Sequence, residues 1–234
     1  MISVHQVRKA FGRRLVLEGL DLAVAPGAVS LLVGANGAGK STLLRILSGL
    51  ARPDAGEVAL NGFDLRTQRR AALSQLSFLP QSPSFHPRLT TREVATYYGR
   101  LRRRTDDDVT QELAAWQLLD HAKVVTSHLS GGMRQRLAIV IFALARAPVL
   151  LLDEPGLSLD PFWRVKLQTF LLEQARGGRT VLVATHLLGE WEGRVDRCFA
   201  LRGGRVAGEL PPERLREAFA AEEGISLPIS EGVE

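Results

Sequence analysis

The chain has 234 residues, 45% of them hydrophobic, which is enough for one large domain or a domain with a small helical subdomain. Lys and Arg outnumber Asp and Glu by 30 to 25, and this mild excess suits a phosphate-bearing ligand, a nucleic acid or an anionic membrane surface equally. The single cysteine, Cys198, excludes an internal disulfide framework, and no apolar run has the length of a membrane span or a signal-peptide core. We therefore expect a cytosolic protein, and another chain must supply any membrane span.

The opening third of the sequence is rich in predicted strands. Residues 16–24, VLEGLDLAV, alternate between apolar and polar side chains and end at the turn signal Pro26-Gly27. Residues 28–34, AVSLLVG, form a short apolar run of the kind found in buried strands, and residues 56–62, GEVALNG, predict a further short strand.

The middle of the chain is predicted to be helical, and the last third alternates. Residues 91–104 carry apolar side chains at helical spacing, and three aspartates at 106–108 suit the first turn of a second helix. Strand-helix alternation favours an α/β sheet with much parallel pairing. The elements predicted after this point are a helix at 131–146, a strand at 149–152, a helix at 161–176, a strand at 180–184, a helix at 187–193 and a strand at 197–201.

A phosphate-binding loop is predicted at residues 34–42, GANGAGKST, which lie between a buried strand and a helix. Its glycines let backbone N–H groups converge on a phosphate, Lys40 suits the β- and γ-phosphates, and Ser41 suits Mg²⁺. The alternative, a glycine-rich turn with a chance Lys-Ser pair, is weak because sequence and context agree. The predicted nucleotide-binding set is Gly34, Ala35, Asn36, Gly37, Ala38, Gly39, Lys40, Ser41 and Thr42.

Two carboxylates follow the apolar strand VLLLDEP at residues 149–155. Asp153 suits the shell of Mg²⁺, a hard cation that takes oxygen ligands, and Glu154 is placed to act as a general base on the attacking water. A helix N-cap with a first-turn charge is the alternative, and it would be the better interpretation without the phosphate loop.

The motifs GANGAGKST, LPQS, HLSGGMRQR, LLLDEP, LSLDP and ATH occur in the order typical of the ATP-binding subunits of ABC transporters, which residues 2–210 resemble. The resemblance implies an α/β P-loop NTPase core with a mixed sheet. It also implies an N-terminal antiparallel β subdomain and an inserted α-helical subdomain, at about 84–146, that carries the Ser-Gly-Gly signature. We expect an ATP-binding domain at 1–210 and a C-terminal helix with a loose tail at 211–234.

The resemblance also implies roles for single residues. Gln81 is similar to the glutamine that joins the subdomains and senses Mg²⁺ and water, although a plain turn glutamine is the alternative. His186 is similar to the histidine that contacts the γ-phosphate. Asp160 is similar to the aspartate that communicates across the dimer, and it also suits a helix N-cap before Pro161. Phe11 occupies the place of the aromatic residue that stacks on adenine, with a core phenylalanine as the alternative.

The signature residues Ser130, Gly131 and Gly132 precede a helix, so their N–H groups favour a second anion in a chain with one phosphate loop. Two-fold symmetry accounts for this surplus if each signature faces the nucleotide of the other subunit. We expect a homodimer that binds two Mg-ATP and powers a separate membrane permease at the cytoplasmic face of the membrane. Met133, where the family usually has glutamine, favours an exporter-like, ABC-2 type member.

The main alternative is a soluble ABC-type ATPase that acts on nucleic acid or ribosomes. Residues 100–104, RLRRR, are the best feature for this function, but the aspartates that follow favour a solvated charged face. Only about fifty residues separate Gln81 from the signature, too few for the long coiled coil of such relatives.

A third alternative, a P-loop small-molecule kinase, leaves the Ser-Gly-Gly helix unexplained. Residues 82–101 suit either permease docking or packing within the helical subdomain.

Overall fold

The computed structural model describes residues 1–223. The strands are β1 (Ile2–Phe11), β2 (Arg14–Val24), β3 (Val29–Val33), β4 (Ala55–Leu60), β5 (Phe63–Asp64), β6 (Leu76–Leu79), β7 (Val149–Asp153), β8 (Thr180–Ala184), β9 (Arg197–Arg202) and β10 (Arg205–Leu210). The α-helices are α1 (Lys40–Leu47), α2 (Arg69–Ser74), α3 (Thr91–Leu101), α4 (Asp106–Ala115), α5 (Gly131–Leu144), α6 (Pro161–Arg176) and α7 (Leu215–Glu223).

Two sheets form the framework. One has four antiparallel strands in the order β2-β1-β4-β5, and the other has six strands in the order β10-β9-β3-β8-β7-β6. The second sheet is parallel except for β10, which pairs antiparallel with β9. Every residue of β3, β7 and β8 is buried, as expected for parallel strands covered on both faces. The predicted α/β class, with a mixed sheet and an N-terminal antiparallel sheet, is confirmed.

The central strands separate two apolar cores. Because side chains alternate along a strand, Leu150 and Leu152 of β7 enter the core shared with α5 and α6. Val149 and Leu151 enter the core shared with α1 and the antiparallel sheet. The sheet therefore holds the ends of β3, β7 and β8 in fixed positions relative to α1.

Three helices, α3, α4 and α5, pack against one another as the inserted helical region. A Cβ atom on Gly99 would lie 2.8 Å from the Val109 side chain, so a glycine permits the close approach of α3 and α4. Thr90 and Thr105 cap α3 and α4 with reciprocal bonds from the third helical residue. Helix α3 ends at Leu101 rather than near 104, and Arg103 just beyond it has φ 56°.

The predicted helix at 187–193 is wrong. The segment forms only a short 3₁₀ turn at Leu188–Glu190, and Gly193 adopts the left-handed conformation with φ 68°. The predicted C-terminal helix corresponds to α7, whose Leu215 is fully buried in the core with α6. The tail after residue 223 lies outside the described residues. Within residues 1–223, no helix is both long enough and apolar enough to cross a membrane.

Candidate active site

A cavity of about 500 Å³ opens where the parallel strands β3, β6, β7 and β8 end. The carboxyl edge of parallel strands is the usual position of ligand sites in α/β sheets. Its lining comes from the β1–β2 hairpin, the phosphate loop (residues 34–42), the start of α1 and the segments after β6, β7 and β8. The lining residues are Phe11, Arg14, Val16, Asn36, Gly37, Gly39, Lys40, Ser41, Thr42, Gln81, Glu154 and His186.

The phosphate loop needs glycine at two positions for steric reasons. A side chain at Gly34 would overlap the carbonyl oxygen of Leu201, and one at Gly39 would lie 2.8 Å from the Leu17 side chain. Gly39, with φ 111°, is the N-cap of α1 and provides no side-chain cap. The first-turn N–H groups of α1 therefore face the cavity side of the loop without a competing side-chain acceptor, which suits an anion.

Lys40 is held against the phosphate loop. Its Nζ donates to the carbonyl oxygens of Gly34, at 2.6 Å, and Ala35, at 3.2 Å. Burial lowers the pKa of Lys40, and the carboxylates of Glu154 and Asp153 partly oppose this shift. The ammonium group is thus a desolvated cation beside the N-terminus of α1, and a phosphate would be a better partner for it than the two carbonyl groups.

Asp153 and Ser41 form a pair of oxygen donors that could hold a metal ion. Ser41 Oγ donates to Asp153 Oδ1 at 3.2 Å, and burial raises the pKa of Asp153. Among the described residues, no group of three or more His, Cys, Asp or Glu side chains forms a metal cage. Mg²⁺ is usually held by one or two protein oxygens together with substrate phosphates, so this donor pair fits Mg²⁺ bound with a nucleotide.

Glu154 has an unusual backbone conformation that directs its carboxylate to the end of β8. It is only 7% exposed and has φ 46°, which is uncommon for a residue with a side chain. Its N–H donates to Ala184 O at 2.8 Å. Its Oε2 lies 2.9 Å from His186 Nδ1 and accepts the backbone N–H of His186 at 3.3 Å. Two of the four residues predicted to be catalytic, Glu154 and His186, are therefore in direct contact, and the other two are Gln81 and Lys40.

Gln81 and Phe11 also reach the cavity. Gln81 is exposed and directly follows Pro80 at the end of β6. Phe11 is 53% exposed at the end of β1, with Lys9 Nζ 5.3 Å from its ring centre, so the alternative of a core phenylalanine is wrong. Its stacking on adenine stays a prediction.

The signature segment (residues 130–132) is not part of this cavity. Ser130 and Gly131 are exposed, and Ser130 Oγ accepts the N–H of Met133 at 3.2 Å as the N-cap of α5. Asp160 accepts the N–H of Trp163 at 3.1 Å and caps α6, so its predicted capping role is confirmed. One chain thus brings the phosphate loop and both carboxylates together but leaves the signature segment facing outwards.

Sequence reasoning missed Arg14 and Val16, which line the cavity beside Phe11. The available signal was the hairpin: Phe11 and Arg14 flank a two-residue turn and pair across the strands. It also missed Gln135, which is 2% exposed and donates from Nε2 to Pro155 O at 3.1 Å. This bond joins the signature helix α5 to the loop after Glu154.

Two of the four arginines in the basic run at 100–104 have a structural role. Arg102 Nη2 donates to Leu76 O at 3.0 Å, and Arg104 Nε donates to Leu144 O at 2.8 Å at the end of α5. Cationic side chains at helix C-termini satisfy carbonyl groups that the helix leaves unpaired. Two of the arginines that suggested nucleic-acid binding are therefore engaged within the fold.

The fold and the site define a P-loop nucleoside triphosphatase. The family model described as ABC transporter matches residues 17–156. The aliphatic sulfonates import ATP-binding protein SsuB 1 of Xanthomonas axonopodis pv. citri (strain 306) is 40% identical, over 94% of this chain and 90% of its own length. The daunorubicin resistance ATP-binding protein DrrA3 of Streptomyces coeruleorubidus is 35% identical, over 92% and 69%.

Solved structures show the same likeness. An ATP-binding subunit of an ABC transporter matches with a TM-score of 0.84 and 27% identity, over 96% of this chain and 94% of that one. A dimeric ATP-binding cassette in a post-hydrolysis state, bound to ADP and Pi, matches with a TM-score of 0.81 and 25% identity, over 91% and 99%. The chain belongs to the ABC transporter family, in which it is an ATP-hydrolysing, ATP-binding subunit.

Proposed function

We propose that two copies of this chain close around two Mg-ATP, so that the signature segment of each copy completes the cavity of the other. The observation that carries the proposal is the separation within one chain: residues 130–132 lie outside a cavity that is already lined by the phosphate loop and Glu154. A second, exposed helix N-terminus suits the same phosphates from the opposite side. The dimeric relative bound to ADP and Pi supports this arrangement.

The roles within each cavity follow from the chemistry of its side chains. The phosphate loop and Lys40 bind the phosphates, and Phe11 stacks on the adenine. Ser41, Asp153 and Gln81 would hold Mg²⁺, which neutralises phosphate charge when bound. Glu154 orients a water molecule and accepts its proton, and His186 steadies this carboxylate and contacts the γ-phosphate.

Mixing two inactive variants tests the shared sites. Lys40→Ala disables a phosphate loop, and Ser130→Arg blocks a signature segment. A mixed dimer has one site with neither change, so an equal mixture should recover about a quarter of the parent rate, from half of the dimers with one of two sites. Ser127→Arg, in the exposed turn before the signature segment, serves as the control for added charge. If the mixture stays as inactive as its components, the shared-site proposal is wrong.

We also propose that closing and opening of the dimer drives a separate membrane permease at the cytoplasmic face of the membrane, in the direction of export. The exposed side chains Tyr97 and Leu101 of α3 supply an apolar docking surface. The Nod factor export ATP-binding protein I of Rhizobium etli, 32% identical over 97% of this chain and 73% of its own length, supports export, whereas the SsuB 1 relative is named for import. Copurification with a permease that Tyr97→Glu abolishes would support the docking surface. A requirement for a solute-binding protein would contradict export.

A further inference from the structure

The β1–β2 hairpin presents a second side chain beside the predicted adenine-binding Phe11. Phe11 and Arg14 are direct cross-strand partners on either side of the two-residue turn formed by Gly12 and Arg13. Opposite residues of an antiparallel pair place their side chains on the same face of the sheet. Val16 lies two residues further along β2, on the face of Arg14, and all three side chains line the cavity.

Arg14 reaches the phosphate loop. A Cβ atom built on Gly37 would lie 3.4 Å from Arg14 Nη2, so the guanidinium group sits next to the backbone of the loop centre. Its position between Phe11 and Gly37 corresponds to the span between a base bound at the hairpin and phosphates bound at the loop.

The charge of Arg14 is not neutralised within the described part of the chain. No carboxylate of residues 1–220, the part of the chain whose side chains the structure describes, lies within ion-pair distance of its guanidinium group, and the Arg14 side chain is exposed at the cavity mouth. The neighbouring cation Lys9 differs, since its Nζ is 2.7 Å from Asp54 Oδ1. A guanidinium group provides paired donors that match phosphate oxygens.

We propose that Arg14 is a nucleotide-binding residue that contacts the phosphate groups of ATP from the hairpin side of the cavity. The proposal rests on the proposed function of the cavity. It adds a charge contact that links the hairpin, which carries Phe11, to the phosphate loop. ATP and ADP are the ligands that gain from this contact, because both carry several phosphate charges.

Nucleotide titrations in the non-hydrolysing Glu154→Gln background test the proposal. Arg14→Ala and Arg14→Gln should raise the Kd for ATP about five- to tenfold, and Arg14→Lys should recover part of this loss. Arg13→Ala is the matched control, because Arg13 is an exposed arginine of the same turn that does not line the cavity. The loss should shrink as the salt concentration rises, since the contact is electrostatic and exposed.

The outcomes separate this inference from the proposed site. If Lys40→Ala weakens ATP binding while both Arg14 variants bind like the parent, the site stands and the role of Arg14 is wrong. If Lys40→Ala also binds ATP like the parent, the proposed site itself is wrong. If Arg14→Ala weakens competition by adenosine by the same factor as ATP binding, the guanidinium group contacts the base, and the phosphate contact is overturned. Thermal unfolding of each variant checks that the hairpin remains folded.

Discussion

Two helix N-termini in this chain are suited to phosphate, and they are built differently. Helix α1 follows Gly39, which has a left-handed backbone and no capping side chain, and it borders a cavity of about 500 Å³. Helix α5 follows Ser130, whose own hydroxyl accepts an N–H of the first turn, and its start faces outwards. Side chains of the same chain form a cavity around the first N-terminus, whereas the second N-terminus lies outside that cavity.

In the proposed function, this difference divides the work of an ATP site between two regions of the chain. Around α1, Lys40, Asp153 and Glu154 are buried together, so their charges are desolvated and influence one another. Around α5, Ser130 caps the first turn, and the exposed Ser130 and Gly131 are accessible to a partner surface. In the proposed dimer, chemistry depends on the α1 region and assembly depends on the α5 region.

The largest expected effect is on hydrolysis. Glu154→Gln removes the proposed general base while keeping the size of the side chain, so we expect the rate of phosphate release to fall at least about 100-fold. ATP binding should persist, and with ATP present sedimentation should show a dimer. Glu57→Gln, an exposed position outside the cavity, is the control. A Glu154→Gln protein that hydrolyses ATP at the parent rate would remove Glu154 from the mechanism.

The glycine before α1 allows a test of the loop itself. Gly39→Ala should lower the free energy of unfolding by about 2–3 kcal/mol, because the new Cβ meets both a left-handed φ and the Leu17 side chain. Gly178→Ala is the matched control, since Gly178 has φ 86° but open space around its Cβ position. Urea unfolding of both variants separates the cost of the contact with Leu17 from the cost of the left-handed backbone conformation. Equal losses would show that packing against Leu17 contributes nothing.

Much of the fold could be predicted because its central strands are uninterrupted apolar runs and its helices carry capping signals. Strand β1 was missed because its apolar and polar residues do not alternate regularly. The backbone is irregular at the same place: Gln6 has φ 47°, and the pairing register with β2 shifts on both sides of Val7. Such bulges break the alternation by which a strand is identified. The helix predicted at 187–193 does not form, because Gly189 and Gly193 disfavour a helix there. The prediction followed the apolar side chains around these glycines and gave the glycines too little weight.

The site could be predicted as a set of motifs but not as a geometry. Lys40, Asp153 and Glu154 were found because each motif directly follows a buried strand. The contact between Glu154 and His186 depends on the parallel pairing of β7 with β8 and on the left-handed φ of Glu154. Arg14 was missed because its role is defined by a cross-strand pairing rather than by a motif.

A partly buried carboxyl group on α4, the helix that packs against α5, gives a smaller effect. Burial raises the pKa of Glu112, although Arg146 opposes the shift. The folded state then binds a proton more tightly than the unfolded chain, so this group makes stability fall as the pH rises through the interval between the two pKa values. Glu112→Gln should raise the free energy of unfolding at neutral pH by at most about 1 kcal/mol.

The gain from Glu112→Gln should disappear in acid, where the parent carboxyl group is protonated in both states. Urea unfolding of parent and variant across this pH range measures the difference, and ATPase activity should be unchanged because Glu112 lies outside the cavity. Arg146 keeps a partner in the variant, since its Nη2 lies 2.5 Å from Asp108 Oδ1. A variant less stable than the parent at neutral pH would show that the attraction to Arg146 outweighs the cost of burial.

The smallest expected effect concerns the cap of α5. Thr90 caps α3 within a capping box, in which the Glu93 carboxylate accepts hydrogen bonds from Thr90. In α5 the position of Glu93 is taken by Met133, whose side chain cannot accept such a bond from Ser130. Ser130→Ala should therefore cost about 0.5 kcal/mol of stability, and Thr90→Ala about 1 kcal/mol, as measured by urea unfolding. If Ser130→Ala costs as much as Thr90→Ala, the hydroxyl of Ser130 is needed for the fold of the free chain. A smaller cost means that the start of α5 is stable largely without its cap, which leaves the Ser130 hydroxyl available to a nucleotide held by a partner subunit.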